Sequence, residues 1–219
     1  MTVFAAARTH MIESQLRPNK VADARVIEGF ARIRRELFVP ENARAIAYID
    51  EDLPVAPGRH LMEPAVAARL IQTAAVERTD IALVVGAGTG YEAAVLSKIA
   101  RAVVALEEDA ALARMARAAL VEENIASVSV VEGALVAGWR QRAPFDVILI
   151  GGAVAEPPSA IVSQLAEDGR LVAVVRPEGP GMGRAVLVRR TGGIIARRVI
   201  FDAAIPFLPG FEPKPAFVF

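Results

Sequence analysis

The chain has 219 residues, 54% of them hydrophobic, with 25 basic and 25 acidic side chains and no cysteine. That length and apolar fraction describe a globular protein with one full core and exclude a disordered chain. The charge balance gives no sign of a polyanionic partner, and the lack of cysteine excludes a disulfide scaffold, a thiolate metal site and a cysteine nucleophile. Met1–Ala7 has no basic leader and Arg8 interrupts its apolar run, so no signal peptide is expected. No apolar window reaches the ~18 residues of a membrane span, and a cytoplasmic protein without membrane or nucleic-acid partners is the expectation.

Residues 5–16 predict a helix stopped by Pro18, which biases Arg17 out of the helical region. Asp23 is the expected N-cap of the next helix. Val26, Ile27, Phe30, Ile33 and Leu37 share one face of it, and Arg32, Arg34 and Arg35 the solvated other. Pro40 ends this helix, and a short one from Glu41 to Tyr48 follows. Asp50–Glu63 holds two prolines and a glycine and reads as a loop; loops of that length in compact chains tend to be functional. Pro64 suits the first position of a helix to Ala75, with Val66, Leu70 and Ile71 facing inward.

Ile81–Val85 is the apolar run of a parallel strand covered on both faces. Gly86, Gly88 and Gly90 follow at once, where glycine lets a ligand approach the backbone, and a helix from Tyr91 aims free N–H groups at that ligand. Ala102–Leu106 is the next strand. Glu107 at its end lies about 20 residues past the glycines, where a ribose diol needs an acceptor. The composite points to a nucleotide-type ligand. Gly86-x-Gly88-x-Gly90 is the spacing usual for S-adenosylmethionine, while Gly88-x-Gly90-x-x-Ala93 also meets the dinucleotide pattern, and the motif alone leaves both open.

Asp109 caps an alanine-rich helix to about Glu122. Strands follow at Val128–Val131, ending in Glu132-Gly133, at Phe145–Ile150 before Gly151-Gly152-Ala153, and at Arg170–Val175. A helix from Pro158 to Ala166 separates the last two. Arg184–Arg190 and Ile194–Phe201 flank Thr191-Gly192-Gly193 as a β-hairpin. The tail from Ile205 to Phe219, with four prolines and four phenylalanines, is expected to pack as irregular apolar cover. The fold class is therefore α/β: a doubly wound, mostly parallel seven-stranded sheet, Rossmann-like, with an N-terminal helical extension. Residues 1–78 form the extension and loop and 79–219 the nucleotide-binding unit, expected to be one compact body.

The order of these features resembles the protein-L-isoaspartate O-methyltransferase family of the class I S-adenosylmethionine-dependent methyltransferases. The resemblance is carried by Met11-Ile-Glu-Ser-Gln-Leu-Arg17, Arg35-Glu-Leu-Phe-Val-Pro40, Ala47-Tyr-Ile-Asp50 with Leu53-Pro54 and Gly58, Gly86-Ala-Gly-Thr-Gly-Tyr91 with Ala93-Ala-Val-Leu96, Ala143-Pro-Phe-Asp146 and Asp168-Gly-Arg-Leu-Val172. It implies methyl transfer from S-adenosylmethionine to an isoaspartyl carboxylate on a protein or peptide, by a monomer without metal. It also implies that Gly86, Gly88, Thr89, Gly90, Glu107 and Glu132 hold the cofactor, Glu107 at the ribose and Glu132 at the adenine amino group. Asp50, His60, Met62 and Glu63 become the substrate-loop candidates, with Tyr48 beside Asp50. His60 is a general base if the acceptor is a hydroxyl or amine.

The chain departs from the family pattern in two places. Val84 stands where members carry an acid. His60-Leu61-Met62-Glu63-Pro64 stands where they carry Thr-Ile-Ser-x-Pro, so Met62 offers no hydroxyl and Glu63 adds a charge. These changes keep two alternatives open: the same fold with another acceptor, or a degenerate cofactor-binding protein. A nicotinamide oxidoreductase fits less well, because of the helical leader and the closing hairpin.

Overall fold

The computed structural model describes residues 2–177 and 181–213. The N-terminal layer begins with α1 (Val3–Met11), which runs on as a single wide turn over Ile12–Leu16. α2 (Ala24–Arg32) is capped by Asp23, whose carboxylate accepts from the Arg25 N–H. The expected continuation of α2 to Leu37 does not occur. Ile33 is extended at φ −91° and ψ 128°, and Arg35–Leu37 form one 3-10 turn. The break turns Arg35 inward, so this arginine, expected on a solvated face, is fully buried. Glu41–Ile46 is likewise 3-10 and not α-helical.

The expected loop over 50–63 contains a small antiparallel hairpin, β1 (Leu53–Ala56) and β2 (Arg59–Leu61). Apolar residues alternate along it: Leu53, Val55 and Leu61 point into the core while Pro54 and His60 do not. α3 (Pro64–Thr73) follows, with proline at its first position.

The main sheet opens with β3 (Ile81–Val85), then α4 (Tyr91–Leu96), β4 (Ala102–Glu107), α5 (Ala110–Glu122) and β5 (Val128–Glu132). The chain then crosses back to the other side of β3 with β6 (Phe145–Val154). α6 covers only Ser159–Val162, because Leu165 already pairs with Phe145 and starts β7 (Leu165–Val175). β8 (Gly183–Thr191) and β9 (Ile194–Ala203) form the expected hairpin. The strand order is β5-β4-β3-β6-β7-β8-β9, parallel through β7 and antiparallel after it. This is the doubly wound sheet expected from the sequence.

Successive residues of β3 point to opposite faces, and both faces are covered. Ala82 and Val84 join the cluster that runs from Met11 through α3 to Ile205, and Leu83 and Val85 join the one that holds Phe145, Ile161 and Leu208. The chain leaves β3 toward β4 and returns to β6 on the far side. The carboxyl ends of β3 and β6 therefore flank the point where doubly wound sheets bind ligands.

β6 is longer than expected and keeps Gly151 and Gly152 inside the strand. A Cβ on Gly151 would stand 2.5 Å from the Gly86 carbonyl oxygen, so only glycine lets these two strand ends come so close. The strand is extended by a partner the sequence reading did not give it. Ala153 donates to the Pro206 carbonyl at 2.9 Å, and Leu208 donates back to the Ala153 carbonyl at 2.8 Å. The expected apolar tail is thus ordered along β6 as far as it is described, with Ile205, Leu208 and Phe211 buried; Lys214–Phe219 lie outside the described residues.

Candidate functional site

The glycine turn after β3 is held from β4. The N–H groups of Gly86 and Ala87 both donate to the Leu106 carbonyl at 3.0 Å. Gly86, Gly88 and Gly90 all have positive φ, and Gly90, at +94°, is the left-handed N-cap of α4. The three glycines serve different needs. A Cβ on Gly86 would meet the Leu208 methyls at 2.7 and 2.8 Å, and one on Gly90 would meet Ala116 Cβ at 3.1 Å; nothing lies within 4 Å of one on Gly88. Thr89 is buried and donates its hydroxyl to the Phe38 carbonyl at 2.5 Å, which ties the turn to the N-terminal layer.

Glu107 stands at the tip of β4, with its side chain fully buried. Its Oε2 accepts from the Gly88 N–H at 2.7 Å, and its Oε1 from the N–H groups of Glu108 and Asp109 at 3.0 Å. The remaining capacity is taken by Arg59. The guanidinium reaches in from β2 and forks onto both oxygens, Nη1 to Oε1 at 2.5 Å and Nη2 to Oε2 at 2.6 Å. Two parallel charge-assisted bonds of this kind are among the strongest side-chain contacts. Glu132 is placed differently. Its carboxylate is 44% exposed and accepts from Arg117 Nη1 at 2.8 Å. Val84 is fully buried in the core beneath the turn.

The space between Arg59, the end of β6 and the tail is small. A hollow of about 10 Å³ is lined by Gly58, Arg59, His60, Gly151, Gly152 and the stretch Ile205–Leu208. Leu208 lies over both the glycine turn and β6, 3.0 Å from a Cβ position on Gly152 through its own Cβ.

Of the substrate-loop candidates Asp50, His60, Met62 and Glu63, His60 alone lines this hollow. His60 is partly buried beside it, with Nδ1 unpartnered. The Met62 side chain is buried in the core, and its carbonyl accepts from Arg35 Nη2 at 2.8 Å. Asp52 accepts from the Glu63 N–H at 2.9 Å. Burial, then the charges of Asp52, Asp50 and Glu51, push Glu63 up to about 7; burial also raises Asp50 and Asp52 above the usual carboxylate range. Tyr48 lies deeper. Its hydroxyl accepts from the Arg35 N–H at 3.2 Å and donates to Glu36, and burial with that carboxylate lifts it well above the ordinary tyrosine range.

Sequence reasoning missed Arg59 and Leu208. Arg59 lies 48 positions from its partner, so no local pattern marks it. The apolar tail was visible, but nothing in it told which surface it would cover. Among the described residues, no group of three or more His, Cys, Asp or Glu side chains gathers as a metal site, and no helix is long and apolar enough to cross a membrane.

The family described as protein-L-isoaspartate(D-aspartate) O-methyltransferase matches residues 6–201. A protein-L-isoaspartate O-methyltransferase of Koribacter versatilis is 37% identical over 216 residues, 97% of this chain and 96% of its own. One of Methylorubrum populi is 41% identical over 174 residues, 80% of this chain and 82% of its own. A solved structure titled as a protein-L-isoaspartate O-methyltransferase superposes with a TM-score of 0.80 at 23% identity, over 93% of this chain and 66% of that one. A Plasmodium falciparum structure, titled as a putative member in complex with S-adenosyl-L-homocysteine, gives 0.78 at 18% identity, over 95% of this chain and 99% of that one. At these identities the two structures show the shared fold.

Proposed function

The chain belongs to the protein-L-isoaspartate O-methyltransferase family, and from that premise we propose that it is an S-adenosylmethionine-dependent O-methyltransferase whose acceptor is an isoaspartyl carboxylate of a protein or peptide. The observation that carries the reading is the match over residues 6–201, which takes in both the hairpin loop and the glycine turn. The site supports it by placing that turn at the switch point of the sheet, with an acid at the tip of the next strand. A carboxylate acceptor is already ionised at neutral pH and needs no general base, so the protein has only to bind, orient and exclude water. A cytoplasmic monomer acting without metal, nucleic acid or membrane is part of the same proposal.

As folded, the residues do not fit an adenosine. The hollow of about 10 Å³ falls far below the roughly 300 Å³ at which small-molecule pockets begin, and Glu107 is saturated by Arg59. A second reading, the same reaction on an uncharged acceptor, is favoured by the acids Asp50, Glu51, Asp52 and Glu63 around the loop, since like charge opposes an incoming carboxylate.

Labelled methyl transfer from S-adenosylmethionine to an isoaspartyl peptide, with its aspartyl isomer as control, tests the assignment. Slow incorporation into the isoaspartyl peptide alone is expected. Incorporation only into peptides lacking that carboxylate would favour the second reading, and none into any acceptor would remove the first.

A further inference from the structure

We propose that this protein closes its own cofactor site with two displaceable elements, the Arg59 guanidinium and the segment Ile205–Phe211, and that S-adenosylmethionine binds only after both have moved out. The inference rests on the cofactor assignment above.

The first element competes for the acid. A carboxylate offers about four lone-pair directions. Glu107 receives five donors here, three of them backbone N–H groups of the turn and of the residues that follow β4. The backbone donors belong to the scaffold and stay. The other two come from one guanidinium, which presents a pair of parallel donors as a ribose diol would. Arg59 is therefore a stand-in for the sugar, and the two cannot be accommodated together.

The second element competes for the space. Leu208 rests on Gly86 and Gly152, at the carboxyl ends of the two strands that bracket the switch point. The segment is bonded to β6 through Pro206, Leu208 and Phe211, the last accepting at 2.8 Å from the Ala155 N–H, and Arg176 Nη1 holds the Ile205 carbonyl at 3.1 Å. The backbone bonds amount to a single parallel bridge between Ala153 and Phe207 with one further bond at Ala155, and the side-chain bond comes from Arg176 just past β7; none belongs to the pairings between the named strands. The segment follows β9, so its release leaves every pairing of the main sheet intact.

The two elements share a wall. A Cβ on Gly58, next to Arg59, would lie 3.5 Å from Pro209 Cγ, and the residual hollow is bounded by the hairpin on one side and by Ile205–Leu208 on the other. Movement of the tail therefore frees the hairpin turn that carries Arg59. The apparent affinity for the cofactor is then its intrinsic affinity scaled by the fraction of molecules that are open.

Binding of S-adenosylhomocysteine by calorimetry, to the full-length parent and to Arg59→Gln and Leu208→Ala, tests this. Each variant is expected to bind at least tenfold more tightly than the parent, a gain that no merely structural role would produce. Amide exchange supplies a second readout. The N–H groups of Ala153, Ala155 and Leu208 should be protected in the free parent and lose protection when the compound is added at saturation. Parent binding as tight as that of the variants, or unchanged protection at saturation, overturns the closure and leaves the cofactor assignment standing. No binding by any of the three proteins, each folded by circular dichroism, overturns the cofactor assignment and the closure with it.

Discussion

Arg35 illustrates how a single buried cation can organise a loop. Its Nε donates to the Ala47 carbonyl at 2.7 Å and its Nη2 to that of Met62 at 2.8 Å, and the guanidinium carbon lies 4.8 Å from the centre of the Tyr91 ring. It thereby joins the segment before the hairpin, the segment after it and the first residue of α4. Arg35→Leu strands two buried carbonyls, each costing about 1–3 kcal/mol, so a loss near 3 kcal/mol in urea unfolding is expected. Arg35→Lys should recover only part of this, because an ammonium cannot fork between two separated acceptors. Glu63 makes a different prediction. Its carboxyl is pushed up to about 7 from an ordinary 4.5, chiefly by burial. Between those values the folded chain holds a proton that the unfolded chain has released, so stability should fall as pH rises through that window and level off above it. Glu63→Gln should flatten this part of the profile in denaturation measured from pH 4 to 8. An unchanged slope would assign it to the other carboxyls that burial shifts the same way, Asp50, Asp52 and Glu92.

At the scale of elements, the glycine turn and the strand that feeds it were legible because their signal is local. An apolar run, three glycines at alternate positions and an acid at the next strand end are all read within one βα unit. The hairpin inside the expected loop was not legible. Its strands have four and three residues and include a proline, too few for alternation to stand out. The burial of Arg35 was hidden for another reason: a helical wheel carried past Ile33 assigns faces to residues that are no longer helical. The turn also yields a ranking. Gly90→Ala would impose a side chain at φ +94° and crowd Ala116, whereas Gly88→Ala meets only the left-handed backbone. The left-handed conformation costs an L-residue roughly 1–2 kcal/mol. Gly88→Ala should lose about that much stability, and Gly90→Ala clearly more, as compared by thermal unfolding.

Across the whole molecule, Arg170 is the bolt between the helical layer and the sheet. From β7 it donates to the carbonyls of Ala74 and Ala75 at 2.9 and 2.8 Å and meets Asp80 at 2.6 Å, joining the end of α3 and the approach to β3. Breaking a largely buried pair of this kind costs about 3–5 kcal/mol. Arg170→Ala should lower the melting temperature and leave S-adenosylhomocysteine affinity unchanged, since Arg170 pairs with Val147, at the opposite end of the strands from the glycine turn. Under the closure proposed above, the ion pair between Arg59 and Glu107 has the reverse character, because the contact that secures the closed form is the one the cofactor would displace. Heat resistance and ligand uptake then lie at opposite ends of a single coordinate. A population of this protein selected only for survival at high temperature would drift toward a tighter empty form, and its weakest binders would be its hardiest members.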